Sequence, residues 1–386
     1  MRLSLALLCF IVATASWAHT APAASPLDPV IHALCSRDVV LLGEDANHAA
    51  ATTLQVKSLL VERLVAQCGF RGVVFESQFY DMLAAQRSLA AGSGTRQQLA
   101  DAIGALWSRY PSFAPLADWL FKETREGRIY VAGLDPQVGG ITAYYAQQRL
   151  PQVLAGVLAG SRRRTCEQLI GRHDRWTYDD AHPFDGRALG QLRGCLRDIR
   201  VALDARPAGA LPDVRAMVDS YADYLAFADG DPGGLRDRAM YANLERIRAS
   251  WPAGTRFIVW CASVHAARSL EGARPGVRPF GSYVHASFGD HAAAVGFSAL
   301  AGSYGQVGGR GPAHTLVPAA PGSLEAVAYA RAERAPLRFL DRGQLRALGK
   351  VSGRALAYGT PYTLDWSKVL DGVIVLREES AAVARP

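Results

Sequence analysis

Four apolar runs in this chain each end on an ionisable side chain: VVLLGE at Glu44, GVVFE at Glu76, IYVAGLD at Asp135 and FIVWCASVH at His265. Carboxylates and imidazoles are groups that hold or move protons near neutral pH. The stretch GEDANH, residues 43–48, places Glu44, Asp45 and His48 together just after the first run. A carboxylate against one ring nitrogen fixes the tautomer of an imidazole and raises its basicity. His48 is therefore a candidate general base, and either Glu44 or Asp45 is a candidate for orienting it.

These side chains need a scaffold that brings them to one place. Apolar runs separated by helical periodicity read as buried parallel strands. In an open α/β sheet, ligands bind in the crevice beyond the carboxyl ends of such strands. The expected fold class is α/β: a mostly parallel central sheet flanked by helices, with an inserted helical cap. Residues 30–140 and 250–386 are assigned to the α/β core and 141–249 to the cap. The cap pattern is broken by Pro207, Pro212 and the Asp-Gly-Asp-Pro-Gly-Gly turn at 229–234.

The first βαβ unit reads as Val39–Glu44, a helix over 51–67 and Gly72–Glu76. In that helix Val61, Leu64, Val65 and Cys68 recur at helical spacing, and Lys57 lies on the same stripe. A lysine there faces the strand ends, where carboxylates can pair with it. A helical stretch over 78–126 carries Trp107, Trp119 and Phe121. Arg256–His265 reads as a strand, Tyr283–Phe288 and Ala292–Leu300 as two more in antiparallel pairing, and Gly372–Arg377 as the last. The glycine-rich Gly302–Pro312 reads as a flexible loop at the rim of the site. His173, His182, His285, His291 and His314 carry no functional signal.

The chain has 386 residues and a formal net charge of +7. Its arginines are scattered and form no dense basic stripe, which argues against nucleic acid as a partner. There is no GxxxxGK[ST] and no strand–GxGxxG–helix setting, so no phosphate cradle is expected. Arg2, the apolar Leu3–Val12 and Ser16-Trp17-Ala18 read as a signal peptide over residues 1–18. Residues 19–29 read as a disordered leader. The mature protein is expected to be exported, periplasmic or secreted, free of the membrane and monomeric. In an oxidising compartment Cys35–Cys68 and Cys166–Cys195 are expected as disulfides, leaving Cys261 as a buried thiol. No CxxC pair or zinc spacing is present.

Several further blocks follow in order: Lys57 nine residues after His48, Glu76 nineteen after Lys57, RDRAMYANLERI at 236–247, IVWCASVH at 258–265, FGSYVHASFGDHAAAVGFSALAG at 280–302 and LDGVIVLREESAA. This ordered set resembles the erythromycin esterase family over nearly the whole mature chain. Some positions differ from the family pattern. Three residues rather than two separate Glu44 from His48, so Asp45 sits at the family spacing. Lys57 stands where arginine is usual, Thr52 replaces a glutamate, and Ala262 replaces the first of two histidines.

The resemblance implies hydrolysis of a cyclic ester without a metal. No serine lies in a GxSxG elbow, which argues against a Ser-His-Asp hydrolase. The expected catalytic set is His48, Glu44, Asp45, Glu76 and His265. His48 takes a proton from water, Glu44 or Asp45 orients it, and Glu76 positions the water or supports Lys57. His265 binds or protonates the leaving oxygen. Lys57 and Arg236 steady the oxyanion and, with Asp135, form the expected substrate-binding set. No cofactor is expected, and the partner is a small-molecule ester or lactone. Two other readings are open. Glu44, His48, Glu76 and His265 could form a metal or haem site, or the chain could be a non-catalytic binding relative.

Overall fold

Eight of the ten strands among the described residues belong to the sheet that holds the four apolar runs. In chain order the strands are β1 (Val39–Glu44), β2 (Gly72–Gln78), β3 (Tyr130–Asp135), β4 (Phe257–Ala262), β5 (Ala292–Tyr304), β6 (His314–Thr315), β7 (Leu337–Asp341), β8 (Lys350–Gly353), β9 (Tyr362–Asp365) and β10 (Gly372–Glu379). The computed structural model describes residues 25–139, 142, 144–228, 230–231, 233–309, 311–330 and 334–384. The expected signal peptide and residues 19–24 lie outside the described residues.

The main sheet runs β3-β2-β4-β1-β5-β10-β7, with β6 paired to β5; β8 and β9 form a separate hairpin. Pairing is parallel from β3 through β10 and antiparallel only at β10–β7 and β5–β6. The fold class is therefore α/β with a mostly parallel sheet. β1, β2 and β4 are buried along their whole length, which is why they read as continuous apolar runs rather than alternating ones. Because β1 to β4 share one direction, Glu44, Glu76, Asp135 and Ala262 all end at the same edge.

Successive side chains of a strand point to opposite faces. Val39 and Leu41 enter one apolar cluster, while Val40 and Leu42 enter the other. The helices in chain order begin with α1 (Asp28–Leu34), α2 (Ala51–Cys68), α3 (Phe79–Ala90), α4 (Arg96–Ile103) and α5 (Ala114–Arg125). They continue with α6 (Ala146–Ala155), α7 (Gly160–Asp174), α8 (Gly186–Asp204), α9 (Pro212–Tyr224), α10 (Leu235–Ser250), α11 (Ser263–Ala266) and α12 (Phe280–Phe288). α2 covers one face with Leu54, Leu60, Val61 and Leu64. α10 covers the other with Met240, Leu244 and Ile247. Truncating such a residue to alanine costs about 2–5 kcal/mol, so the strand ends sit on a stiff platform.

Some expectations change. Tyr283–Phe288 is not a strand but the end of α12: Phe280, Gly281 and Val284 are its buried residues, at helical spacing, with Pro279 just before the helix. The strand before His265 stops at Ala262, and His265 rides on the one-turn α11. β5 is parallel to its neighbours β1 and β10, because α12 supplies the crossover that returns the chain. The leader expected to run to residue 29 is ordered from Ser25, since Leu27 and Val30 bury their side chains and α1 starts at Asp28. His173, which carried no functional signal, lies on α7 in a buried aromatic cluster with Phe184, Tyr221 and Tyr224. Both expected disulfides are formed, Cys35–Cys68 and Cys166–Cys195, and Cys261 is free and buried. Among the described residues no helix is long and apolar enough to cross a membrane.

Candidate active site

The end of β1 turns sharply into the segment that carries His48. Gly43 makes the turn possible: a Cβ there would lie 2.7 Å from the Cα and Oγ of Ser263, so only glycine lets β1 pass this close to α11. His48 itself has φ +57°, a left-handed conformation that a non-glycine residue adopts at a cost. Its backbone N–H donates to Asp45 O at 2.9 Å. This twist returns the ring towards the strand end it has just left. His48 Nδ1 lies 2.8 Å from Glu44 Oε1.

Glu44 is buried and serves three donors. Lys57 Nζ donates to Oε2 at 2.9 Å, while His48 and Trp107 Nε1 share Oε1. Burial works against the charge on Glu44, but Lys57 and then His48 outweigh it and hold the carboxyl below its ordinary range. The Lys57 ammonium also lies 4.1 Å from the centre of the Trp260 ring. With Nδ1 committed to Glu44, His48 presents Nε2 to the crevice, where the ring is part of the lining.

A second cluster faces it. Arg236 Nη2 donates to Asp135 Oδ2 at 2.7 Å and to Glu76 Oε1 at 3.1 Å. Glu76 Oε2 accepts the Ala262 N–H at 2.9 Å. His265 is held between acids: Nδ1 pairs with Asp237, and Nε2 lies 3.2 Å from Glu76 Oε1. Nε2 is also 3.1 Å from Arg236 Nη1. Burial disfavours the charged ring, yet Glu76 and Asp237 overcome it and raise its pKa to about 10. His265 is accordingly an imidazolium at neutral pH, and its Nε2–H is directed to Glu76. Burial raises Glu76 too, but His265, His48 and Arg236 together hold it well below the ordinary carboxylate range.

His48, Glu76, Asp135, Arg236 and His265 line one crevice of about 340 Å³, with Gln78 beside them. β2 carries an irregularity between Phe75 and Gln78 that adjusts the aim of this strand end. Gly133 on β3 allows it, since a Cβ there would lie 2.5 Å from Ser77 O. A larger cavity of about 530 Å³ lies between β3, α3, α9 and α10. Its charged groups are already paired, Arg87 with Asp213 and Arg246 with Asp223, and it holds none of these acid–base groups.

The erythromycin esterase family model matches residues 65–378. The chain belongs to the erythromycin esterase family. Similar solved structures include a Bacillus cereus protein, 17% identical with a TM-score of 0.73, covering 95% of each chain. Another is a succinoglycan biosynthesis protein, 14% identical with a TM-score of 0.69, covering 93% of this chain and 92% of that one. A third is a histidine-to-asparagine mutant of the erythromycin esterase EreC in its open conformation, 14% identical with a TM-score of 0.65, covering 92% and 94%. At these identities the likeness concerns the fold. No curated protein matches the chain.

Within this family fold, two residues expected at the reacting centre are placed elsewhere. Asp45 turns away from His48: its Oδ1 accepts the Tyr358 N–H at 2.7 Å and its Oδ2 the Asn47 N–H at 3.0 Å. The acid against the imidazole is Glu44. Lys57 is fully buried behind Glu44 and is not part of the crevice lining. Its ammonium therefore meets Glu44 and not a bound oxyanion. Three contributors escaped sequence reading. Trp107 and Asp237 have no local signature beyond apolarity and a charge beside Arg236. Glu379, at the end of β10, accepts the N–H groups of Thr52 and Thr53 at 2.8 and 3.2 Å and so caps α2, whose own Ala50 supplies no side-chain cap. Among the described residues no group of three or more His, Cys, Asp or Glu side chains is arranged to hold a metal ion. The Arg236 guanidinium stands between Asp135 and Glu76, so these acids already face a cation.

Proposed function

We propose that this family member is an exported hydrolase of a carboxylic ester or lactone, acting as a monomer on a small-molecule substrate without a metal. The observation that carries the reading is the 2.8 Å contact between His48 Nδ1 and Glu44, which leaves the other ring nitrogen directed into the crevice opposite His265 and Arg236. Nε2 of His48 takes a proton from a water, and the resulting hydroxide adds to the acyl carbon. The tetrahedral oxyanion is met by positive charge already in place, from Arg236 and the His265 imidazolium. Collapse breaks the acyl–oxygen bond, and the leaving oxygen receives a proton from His48 or His265. Membership of the erythromycin esterase family supports hydrolysis. The two disulfides are compatible with export.

The test is turnover of an ester and lactone panel by the purified protein and by His48→Ala, each with and without chelator. General-base loss is expected to cost about 10²–10⁴ in rate, with an unchanged melting temperature and no effect of chelator. A folded His48→Ala protein at the unaltered rate overturns the base assignment; loss of activity with chelator overturns the metal-free mechanism.

A further inference from the structure

Gln78 ends β2, two residues beyond Glu76, and is almost wholly shielded from solvent. Its Nε2 donates to Gly139 O at 2.7 Å. That bond sets the orientation of the amide and makes Oε1 the acceptor end. Oε1 is buried and has no donor among the described residues, although Gln78 lines the crevice beside Glu76 and Arg236. Buried acceptors are normally satisfied, and an orphan calls for an explanation. Three donors of the crevice are committed elsewhere: Arg236 to Asp135 and Glu76, the Ala262 N–H to Glu76, and the Gln137 N–H to Asp135.

A neutral amide oxygen suits a neutral donor; a cationic one is better served by the two carboxylates that line the crevice, Glu76 and Asp135. The crevice volume of about 340 Å³ is that of a small-molecule site. Resting on the hydrolase reading above, we infer that Gln78 determines substrate specificity by accepting a hydrogen bond from a hydroxyl near the reacting carbonyl. The substrate class is a hydroxylated ester or lactone. A site built to bond a hydroxyl discriminates strongly against the analogue that lacks it, because its own polar group is then left unpaired.

A matched set tests this: γ-butyrolactone, its α-hydroxy derivative and its α-amino derivative, each with the wild-type protein and Gln78→Met. The wild type is expected to favour the hydroxylated lactone about tenfold or more in kcat/KM. Gln78→Met should abolish that preference. Equal use of all three by wild type, preference for the amine, or an equal loss on every substrate in Gln78→Met overturns the inference and leaves the hydrolase reading standing. The wild-type comparison decides the matter even if Gln78→Met does not fold. If the wild type hydrolyses none of the three, the hydrolase reading is judged on the wider ester and lactone panel. Calorimetric titration with the same lactones then decides the role of Gln78: about tenfold tighter binding of the hydroxylated one supports it, and equal or no binding overturns it.

Discussion

Glu44 Oε2 and Lys57 Nζ stand 2.9 Å apart, and both side chains are sealed from solvent. This pair, not the crevice itself, fixes the acid on which His48 leans. Two buried charges are costly to desolvate, and removing one partner leaves the other without compensation. Lys57→Met should therefore destabilise the fold by about 3–5 kcal/mol, and the Glu44→Gln/Lys57→Met double variant should recover much of that loss. Urea denaturation of the three proteins checks both expectations. A double variant no more stable than Lys57→Met would refute the pairing.

Glu379 acts on the same region from the other end of the chain. Besides the Thr52 and Thr53 amides, its carboxylate accepts from the Thr53 and Tyr358 hydroxyls, the latter at 2.9 Å. Tyr358 in turn donates its backbone N–H to Asp45. The turn holding His48 and the helix holding Lys57 are thus clamped to the last strand. Glu379→Ala removes a helix cap and strands buried donors, a loss of about 2–4 kcal/mol. Thr52 and Thr53 amides should exchange faster, and kcat should fall while KM changes little. Glu379→Gln, which keeps an acceptor, should restore most of both. Unaltered exchange at these amides in Glu379→Ala would show that the cap is dispensable.

What could be read from the sequence follows the range of the forces involved. Strand ends at Glu44, Glu76 and Asp135 were legible because parallel strands are buried on both faces and show as unbroken apolar runs. The inward stripe of α2 was legible for the same kind of reason, and it carried Lys57 with it. Tyr283–Phe288 misled because a short amphipathic segment fits both periods, and only packing of Phe280 and Val284 on the core selects the helix. β7 and the β8–β9 hairpin were missed, since they are short and largely exposed or half-buried. The choice between Glu44 and Asp45 could not be made locally. It depends on Lys57, Trp107 and Tyr358, which reach the turn from 13, 63 and 313 residues away.

The Glu76–His265 contact predicts a stability optimum. Glu76 is held well below its ordinary pKa, so its contribution is present above its unfolded value of about 4.3 and is lost as the pH falls. His265 is raised to about 10. Its contribution is complete below the unfolded value of about 6.5 and is lost as the pH climbs towards 10. The contribution of this pair to stability should therefore be greatest near pH 5–6 and decline through pH 7–10 by up to ~1.4 kcal/mol per unit. His265→Gln should flatten the alkaline decline. Denaturant midpoints across this range provide the check, and an unchanged slope in the variant would rule out His265 as its source.

Asp174 gives the opposite case, a buried acid whose charge its neighbours only partly offset. Tyr221 donates its hydroxyl to Oδ1 at 2.9 Å, but Oδ2 has no partner among the described residues. Burial raises the carboxyl to about 8, with Tyr221 only partly opposing it. The neutral acid is what the aromatic surroundings of His173 and Tyr221 accept. In the unfolded chain the same group ionises near pH 3.9, so the folded state loses ground steadily as the pH rises from about 4 to 8. Asp174→Asn keeps the shape and the acceptor for Tyr221 while removing the titration. It should match the wild type near pH 4, gain on it through neutrality by as much as a few kcal/mol, and run parallel above pH 8. Melting temperatures of the two proteins at pH 4, 6 and 8 measure this directly. A variant that is less stable by the same amount at every pH would show that Asp174 is needed as a hydrogen-bonding acid and that its charge state is immaterial to folding.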